Sequence, residues 1–385
     1  MQEGIYLDYN ATTPVDPLVR EAMEPYLGRL FGNPSSAHRP GQMARRGIEE
    51  ARESVARLLG CEPGEIIFTS GGSEADALAL LGTARARNAP GHVIAVSTEH
   101  PAVLGAFEEL ERLGHRATRL AVSSDGAVSP ESLETAIEPG TFLASVMLAN
   151  NETGWIQPIP QLASLARERG IVFHTDAVQA AGKLPVRAGE LGVDLLSLSA
   201  HKLYGPKGIG ALYVRSGTRL GRILAGGSQE RGLRPGTENV PGIVGLGAAA
   251  ALATERLGQE SARIRALRES LWARLAAAVP GILRNSVLES CLPNTLHISL
   301  PGLASESLVV ALDLEGVYVS GGAACHSGAH EPSHVLRAMG LERSRALSSL
   351  RLSLGRFTSD DDVAEASRRI AHVVGRMREA HGEAR

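Results

Sequence analysis

The sequence predicts an α/β fold, with a mostly parallel sheet covered by helices on both faces, and a smaller α+β domain. Short apolar runs, typical of buried strands, alternate with longer helical patterns through the first two thirds of the chain. This alternation ends after Pro241, where alanine-rich helical sequence begins. The length of 385 residues exceeds the usual size of one hydrophobic core, so two domains are expected.

Six apolar runs predict the strands of the sheet, and the segments between them predict helices. The first run, residues 66–69, reads Ile-Ile-Phe-Thr, a composition that favours a buried strand. The predicted strands are residues 66–69, 93–96, 142–148, 171–174, 195–198 and 211–214. The predicted helices are residues 74–86, 101–113 and 159–169. Strand, helix and strand at this spacing are typical of parallel units.

The last third of the chain predicts the smaller domain, to which the N-terminus is expected to contribute. The predicted helices are residues 245–257, 260–278, 306–314 and 360–378, and the predicted strands are residues 295–300 and 351–354. We therefore expect residues 16–255 to form a large domain that binds a cofactor. Residues 1–15 and 256–385 are expected to form the small domain.

The composition is that of an ordinary globular protein and excludes several classes. Hydrophobic residues make up 43% and charged residues 21%, which excludes disordered, collagen-like and coiled-coil chains. The net charge of −3 gives no support to nucleic-acid or membrane binding. Neither a signal peptide nor an apolar run of about 18 residues is visible, so a cytoplasmic protein is expected. Three cysteines, Cys61, Cys291 and Cys325, are too few for a disulfide scaffold.

A turn between a predicted strand and a predicted helix has the composition of a phosphate site. Residues 68–75 read Phe-Thr-Ser-Gly-Gly-Ser-Glu-Ala, so Gly72 and Ser73 stand at the start of the helix. Backbone N–H groups and the positive end of the helix dipole meet there and attract an anion. An ordinary turn with Ser73 as the helix N-cap is the alternative. No Walker A loop is present, because Gly-Lys-Ser/Thr does not follow.

Two charged residues stand near the ends of predicted strands. Asp176 lies at the edge where open α/β sheets bind ligands, and its carboxylate could pair with a protonated ring nitrogen. Lys202 lies between a buried strand and a turn rich in glycine and proline, so we expect a confined amine with a lowered pKa. A helix N-cap is the alternative for Asp176, and a solvated loop lysine is the alternative for Lys202.

The phosphate site, the acid and the lysine together specify pyridoxal phosphate. This cofactor needs a site for its phosphate, an acid for its pyridinium nitrogen and a lysine for its aldehyde. The three appear in that order, and Lys202 follows Asp176 by 26 residues (202 minus 176).

With these residues the chain resembles the cysteine desulfurases of the class V aminotransferase group, of the type that supplies iron–sulfur clusters. The resemblance runs essentially from end to end. It rests on residues 6–14, 32–36, 98–100, 150–154, 176–179, 199–202, 236–239, 331–336 and 351–353. It implies a fold-type I homodimer, in which each chain has a large domain with a seven-stranded sheet and a small α+β domain.

The resemblance also implies roles around the cofactor ring. Lys202 would bind the cofactor covalently through its aldehyde, and Asp176 would keep the pyridine nitrogen protonated. His100 would stack on the ring and help to move protons. Gln179 would form a hydrogen bond with the phenolic oxygen.

Further implied roles concern the phosphate and the substrate. The phosphate would be bound by Gly72, Ser73, Ser199, His201 and, from the second subunit of a dimer, Thr237. Arg351 would clamp the substrate carboxylate, for which its bidentate geometry is suited, and Asn151 would lie beside it, near the cofactor.

Cys325 decides which reaction the cofactor is expected to serve. It lies in a run of small residues, Ser-Gly-Gly-Ala-Ala-Cys-His-Ser-Gly, which predicts a mobile loop. The expected reaction places the sulfur of L-cysteine on Cys325 as a persulfide and leaves L-alanine. The sulfur would pass to an iron–sulfur scaffold or another acceptor protein. The family's usual Ser-Ser-Gly-Ser-Ala-Cys is altered here at two serine positions.

The residues around Cys325 also have the chemistry of zinc ligands. The candidates are Cys325, His326, His330 and His334. Gly328 and Pro332 disfavour the continuous helix that would align the histidines, so no metal site is expected. A protonated histidine that lowers the pKa of Cys325 is the alternative role.

Two other functions stay open. One is a different fold-type I reaction, such as selenocysteine cleavage or transamination of a small amino acid, although a plain aminotransferase has no use for a mobile thiol. The other is a structural role in cluster assembly with a vestigial cofactor site. The presence of Lys202, Asp176 and Cys325 argues against the structural role.

Overall fold

The computed structural model describes residues 4–321, 331–380 and 382. The strands are β1 (Ile5–Tyr6), β2 (Ile66–Thr69), β3 (His92–Val96), β4 (Arg116–Leu120), β5 (Thr141–Ser145), β6 (Val172–Asp176), β7 (Leu195–Ser199), β8 (Gly210–Val214), β9 (Leu283–Arg284), β10 (Thr295–Ser299), β11 (Val317–Tyr318), β12 (Ser320–Gly321) and β13 (Ser349–Ser353). The α-helices are α1 (Pro17–Leu27), α2 (Arg39–Leu59), α3 (Gly72–Arg85), α4 (Pro101–Arg112), α5 (Pro130–Ala136), α6 (Ile159–Glu168), α7 (Ala188–Leu191), α8 (Val240–Ala278), α9 (Ser305–Leu314), α10 (His334–Ala338), α11 (Arg343–Leu347) and α12 (Asp360–Ala380). Short 3-10 helices lie at Pro63–Glu65, Ala200–Lys202, Glu230–Gly232 and Leu288–Ser290.

The central sheet has seven strands in the order β2-β8-β7-β6-β5-β3-β4. Strands β7, β6, β5, β3 and β4 run parallel, whereas β8 is antiparallel to both of its neighbours. The predicted mostly parallel sheet is therefore confirmed. Since parallel strands end at one edge, the carboxyl ends of β6 and β7 bring Asp176 and Ser199 close together.

Helices cover both faces of this sheet. Ile94 and Val96 of β3 belong to the core formed with α2, α6 and α8. Val93 and Ala95, which alternate with them, belong to the core formed with α3 and α4. Burial on both faces explains why these strands appear in the sequence as uninterrupted apolar runs.

Strand β4 is an element that the sequence analysis did not predict. It pairs only with β3, at the edge of the sheet, and reads Arg-Ala-Thr-Arg-Leu. Its two arginines are exposed. An edge strand with polar side chains lacks the apolar run that marks the buried strands.

Helix α8 corrects the prediction of two separate helices at 245–257 and 260–278. The helix runs without a break from Val240 to Ala278. Gly258, at which the two predicted helices were divided, is exposed and has open space around it. A glycine in the exposed middle of a long helix costs about 1 kcal/mol relative to alanine, which packing at both ends can offset.

By length and composition, α8 is also the one helix within the described ranges that could cross a membrane. Half of the most apolar 18-residue stretch of this helix is buried inside the protein. In this region Gly247 and Ala51 of α2 approach so closely that a Cβ on the glycine would lie 2.5 Å from Ala51 Cβ. The apolar composition therefore reflects packing within the protein, as in other core helices.

A second sheet and core lie beside the first. Strands in the order β12-β13-β10-β9 form the sheet, and β1 pairs in parallel with β11. Its core combines these strands with α9, α12 and the C-terminal half of α8. Ile5 and Leu7 belong to this core. The assignment of residues 1–15 to the small domain stays a prediction. The division at residue 255 stays a prediction.

Candidate active site

A cavity of about 300 Å³ lies where the parallel strands of the central sheet end. Strands β6 and β7 end at this cavity, and α3 begins there. Ten residues of the predicted site line it: Gly72, Ser73, His100, Asn151, Asp176, Gln179, Ser199, His201, Lys202 and Arg351. The lining residues that the sequence analysis missed are Asn10, Ala11, Asp76, Met147, Ala149 and Val178.

The start of α3 provides a place for a phosphate. Gly71 is the N-cap and makes no side-chain capping bond, so the alternative in which Ser73 is the N-cap is wrong. A Cβ on Gly72 would lie 3.0 Å from Cγ2 of Val178, so glycine allows the close approach of these segments. The unpaired N–H groups at the start of this 14-residue helix, with its dipole, favour an anion.

Ser199 and His201 also line the cavity, and a Cβ on Gly72 would lie 3.5 Å from Cβ of Ser199. His201 belongs to the 3-10 helix, and its Nδ1 lies 3.1 Å from Oγ1 of Thr12. Burial, and then the charge of Lys202, lower the pKa of His201 to about 4, so the ring is neutral at pH 7. A hydroxyl and a neutral ring can donate hydrogen bonds to a phosphate.

Lys202 has a confined amine, as predicted. Its Nζ donates to the backbone oxygens of Asn10 and Ala11, at 2.6 Å each. Burial, and then the neighbouring charge of Arg351, lower the pKa of Lys202 to about 8. A substantial fraction of the amine is therefore neutral near pH 8, which is the form that attacks an aldehyde.

Asp176 ends β6, and its Oδ1 accepts a hydrogen bond of 2.8 Å from the backbone N–H of Val178. Carboxyl oxygens of Asp176 and Asp76 and a ring nitrogen of His100 lie within 4.8 Å of one another. Such a group could hold a metal ion by distance alone. The amine of Lys202 and the adjoining start of α3 instead fit an organic cofactor that has an aldehyde and a phosphate.

Asp76 is a buried acid that the sequence analysis missed. It lies on α3 one turn after Gly72, and its Oδ1 has no hydrogen-bond partner among the described residues. Burial, and then the charge of Asp176, raise the pKa of Asp76 well above its usual value. The signal in the sequence was an acid between Ala75 and Leu78, on a face that is otherwise apolar.

His100 is the N-cap of α4, and its Nδ1 accepts a hydrogen bond of 3.2 Å from the N–H of Ala102. Burial lowers the pKa of His100, so the ring is neutral at pH 7. With Nδ1 as the acceptor, the proton of the neutral ring lies on Nε2. His100 therefore brings a proton donor to the cavity.

Arg351 lies on β13 and reaches the cavity from the second sheet. Its Nη1 donates to the backbone oxygen of Asn151 at 3.0 Å, so Asn151 lies beside it as predicted. Its Nη2 donates to Asp8 at 2.8 Å and to Ser320 at 3.1 Å. The buried Nε has no partner among the described residues and remains available as a donor.

One predicted residue that the structure describes does not line this cavity. Thr237 is exposed, on the segment before α8. Its predicted role requires a second subunit, so this position does not contradict it. Cys325 and its neighbours His326 and His330 lie outside the described residues.

Comparisons with known proteins decide the family. The Aminotransferase class-V family model matches residues 5–365. The chain belongs to this family. It is 45% identical to a protein of Dictyoglomus turgidum named cysteine desulfurase IscS, over 98% of this chain and 96% of the relative. It is 47% identical to a protein of the same name from Anaeromyxobacter dehalogenans, over 98% and 94% of the two chains.

Solved structures agree with this assignment. A NifS-like protein matches with a TM-score of 0.91 and 38% identity, over 96% of this chain and 99% of the other. A structure titled "SspA in complex with cysteine" matches with a TM-score of 0.81 and 38% identity, over 92% and 99% of the two chains. The predicted family and the fold-type I architecture are confirmed.

Membership of this family confirms pyridoxal phosphate as the cofactor. The described residues fit it. The start of α3 suits the phosphate, the buried Asp176 suits the pyridine nitrogen, and Lys202 has the lowered pKa that attack on an aldehyde needs.

Proposed function

We propose that this protein is a cysteine desulfurase, which removes the sulfur of L-cysteine and leaves L-alanine. The observation that carries the proposal is that Lys202, Asp176 and Arg351 face one cavity. The chain is also 45% and 47% identical to proteins named cysteine desulfurase. A neighbour solved in complex with cysteine supports L-cysteine as the substrate.

Arg351 binds the carboxylate of the substrate in this proposal. Its Nη1 and Nη2 groups are held by Asn151, Asp8 and Ser320, which fixes the plane of the guanidinium. Its Nε is a buried donor without a partner among the described residues. A carboxylate that reaches Nε satisfies this donor and orients the amino acid towards Lys202.

Lys202, His100 and Asp176 handle protons and charge. Pyridoxal phosphate, when bound, supplies an electron sink for the amino acid that is being converted. The amine of Lys202 has a pKa of about 8, so it can both take up and release a proton near neutral pH. His100 carries a proton on Nε2 at the cavity, and the carboxylate of Asp176 stabilises positive charge on the ring nitrogen.

The thiol of Cys325 accepts the sulfur in this proposal. The Cβ–S bond of the substrate breaks, and an S–S bond forms with Cys325. One proton takes the place of the sulfur on Cβ, so no outside oxidant is needed. The two described cysteines are unsuitable. Burial raises the pKa of Cys61 to about 12 and that of Cys291 to about 11, so both are protonated at neutral pH.

The test is anaerobic incubation of the purified, cofactor-loaded protein with L-cysteine and a reductant. We expect alanine and sulfide in equal amounts. We expect Cys325→Ser to bind the cofactor but to form neither product, whereas Cys61→Ser serves as the control and stays active. Pyruvate, or an amine form of the cofactor without sulfide, would contradict the proposal, as would an active Cys325→Ser variant.

We also propose a homodimer in which Thr237 of one chain serves the cavity of the other. Thr237 is exposed and does not line the cavity of its own chain. Leu27 and Phe31, near the end of α1, are 71% and 79% exposed. Large apolar side chains that are this exposed are typical of a surface that a second subunit covers.

Mixing two inactive variants tests this arrangement. A dimer of one Thr237→Ala chain and one Lys202→Ala chain has one site with both residues intact, provided that Thr237 acts in trans. We therefore expect partial recovery of activity after subunit exchange, and a dimer in sedimentation. No recovery, or a monomer, would argue against it.

We further propose that the sulfur passes to an acceptor protein such as an iron–sulfur scaffold, and that the protein works in the cytoplasm. The relatives named IscS support the first point. The need for a free thiol on Cys325 supports a reducing compartment. Transfer of labelled sulfur to a purified scaffold protein, and cell fractionation, test the two points separately.

A further inference from the structure

Lys183 is a lysine beside the cavity to which neither the sequence motifs nor the proposed reaction gives a role. It is partly buried, four residues after Gln179. Its Nζ donates to the backbone oxygen of Gln179 at 2.8 Å and to the side-chain Oε1 of the same residue at 3.2 Å. The other end of this amide, Nε2, donates to the backbone oxygen of Asn10 at 2.9 Å.

These contacts select one orientation of the Gln179 amide. If the amide were reversed, its NH₂ group would face the ammonium group of Lys183, and its oxygen would face the carbonyl oxygen of Asn10. The two carbonyl oxygens would then repel each other at any pH, and the contact with Lys183 would be repulsive whenever its amine is protonated. In the observed orientation, Nε2 gives one hydrogen to Asn10 and keeps a second for an acceptor in the cavity, which Gln179 lines.

Among the described residues, the amine of Lys183 has no polar partner other than Gln179. Burial, and then the charges of Lys202 and Arg351, lower the pKa of Lys183 to about 7. Within residues 4–321 and 331–380, its Nζ donates only to Gln179 and forms no ion pair, although Glu260 lines the same small neighbouring cavity. The polar end of this side chain is therefore committed to Gln179.

We propose that Lys183 is a positioning residue, which fixes the Gln179 amide so that Nε2 donates to the anionic ring oxygen of pyridoxal phosphate. The proposal rests on the predicted contact between Gln179 and that oxygen. With the cofactor bound through Lys202, this oxygen would also attract the proton on the linking nitrogen. A donor at the oxygen competes with that proton and so favours its release.

The pH midpoint of the visible absorbance of the holoenzyme, measured without cysteine, reports this proton. We expect Gln179→Leu and Lys183→Met each to raise the midpoint by about one unit, the size that follows from one hydrogen bond to a charged group. Because both changes remove the same interaction, the double variant is expected to shift no further than either single variant. Lys183→Arg, which keeps a cationic donor, is expected to stay near the wild-type midpoint.

Lys207→Met is the matched control for the loss of a positive charge. Lys207 is exposed, and its charge lowers the pKa of His201, so it acts on the same site without touching Gln179. We expect this variant to leave the midpoint within a few tenths of a unit. An equal shift in Lys207→Met and Lys183→Met would mean a general charge effect and would overturn the proposal.

The remaining outcomes separate the proposal from its premises. A shift in Gln179→Leu without one in Lys183→Met, or additive shifts in the double variant, would overturn the role of Lys183 alone. If neither variant shifts the midpoint, both the predicted contact of Gln179 and the proposal are contradicted. If Lys183→Met loses the cofactor, Lys183→Gln takes its place in the test. This variant keeps a neutral donor and is expected to retain the wild-type midpoint. A shift in Lys183→Gln as large as that of Gln179→Leu would overturn the proposal. The desulfurase activity is judged independently, since no cysteine is present.

Discussion

Two neighbouring buried carboxyls carry different charges in the cavity. Asp76 and Asp176 are both buried and have carboxyl oxygens within 4.8 Å of each other, which opposes ionisation of both. Burial raises the pKa of Asp176, but the hydrogen bond from the N–H of Val178 and the positive charge of Lys202 oppose this rise and favour its carboxylate. Burial, and then the charge of Asp176, raise the pKa of Asp76 well above its usual value, and among the described residues only a hydrogen bond with Ser197 opposes this rise. We therefore expect Asp176 to be the ionised member, as its predicted role beside a ring nitrogen requires.

Substitution of each acid by its amide tests whether Asp176 is charged and Asp76 is neutral. Asp176→Asn removes a charge beside the cofactor ring, and we expect kcat to fall roughly 100-fold or more, the size typical of a lost electrostatic contact in an active site. Asp76→Asn replaces a neutral acid with a neutral amide, so we expect a much smaller loss. Steady-state desulfuration kinetics of both variants provide the measurement. Equal losses would contradict the assignment of charges.

The planar guanidinium of Arg351 carries several hydrogen-bond donors, and we expect their loss to weaken substrate binding. Arg351→Lys keeps the charge but loses the planar set of donors that contacts Asn151, Asp8 and Ser320. We expect KM for L-cysteine to rise roughly 10- to 100-fold, with a smaller change in kcat. Arg345→Lys is the control, because Arg345 binds Asn285 and does not line the cavity. A normal KM in Arg351→Lys would argue against carboxylate binding there.

Helix α8 connects the two cores, and its fit against α2 depends on small residues. Its first half packs in the core of the central sheet, and its second half packs in the core that contains β10 and β13. At Gly247 the backbones of α8 and α2 approach closely, next to Ala51. Close packing of this kind leaves no room for an added methyl group.

Two glycines of α8 should respond in opposite directions to the same substitution. A Cβ at Gly247 would lie 2.5 Å from Cα and Cβ of Ala51, so we expect Gly247→Ala to lower the free energy of unfolding by about 1–3 kcal/mol. Gly258 is exposed with open space around it, and we expect Gly258→Ala to raise that free energy by about 0.5–1 kcal/mol. Urea denaturation of the cofactor-free protein measures both. A destabilised Gly258→Ala would show that helix propensity is not the governing effect.

Buried neutral histidines make the whole molecule sensitive to acid. Burial lowers the pKa values of His174 and His297 to about 3, from the ordinary 6.5. Both rings are neutral in the folded protein and become charged on unfolding below pH 6.5. Unfolding then takes up protons, so this part of the stability is present above pH 6.5 and is lost as the pH falls towards 3.

His297 allows a direct measurement of this effect. It lies on β10 opposite Arg351, outside the cavity lining, and its Nε2 has no partner among the described residues. Between pH 6.5 and about pH 5, we expect the wild type to lose about 2 kcal/mol relative to His297→Gln, which cannot titrate. Urea denaturation at the two pH values gives the difference. An equal loss in both proteins would show that His297 is already protonated in the fold.

The sequence by itself determined the parts of this protein that depend on neighbours along the chain. Strands of the central sheet that are buried on both faces carry apolar runs, so β2, β3, β5, β6, β7 and β8 could each be located from their runs. The junction before α3 was visible because a strand, a glycine pair and a helix follow one another directly, although the helix was predicted from residue 74 and begins at Gly72. Asp176 and Lys202 could be assigned because Asp176 ends a strand and Lys202 follows one, where ligands of open sheets bind.

Only the tertiary structure decided the contacts between residues that are distant in sequence. The ion pair of Asp8 with Arg351 joins residues 343 positions apart, and no local pattern encodes such a meeting. Lys183 contacts Gln179 one turn away, but the orientation of that amide depends also on the backbone of Asn10, 169 positions earlier. Asp76 meets Asp176 because α3 packs on the sheet, and this burial, which no single segment determines, sets which of the two acids is charged.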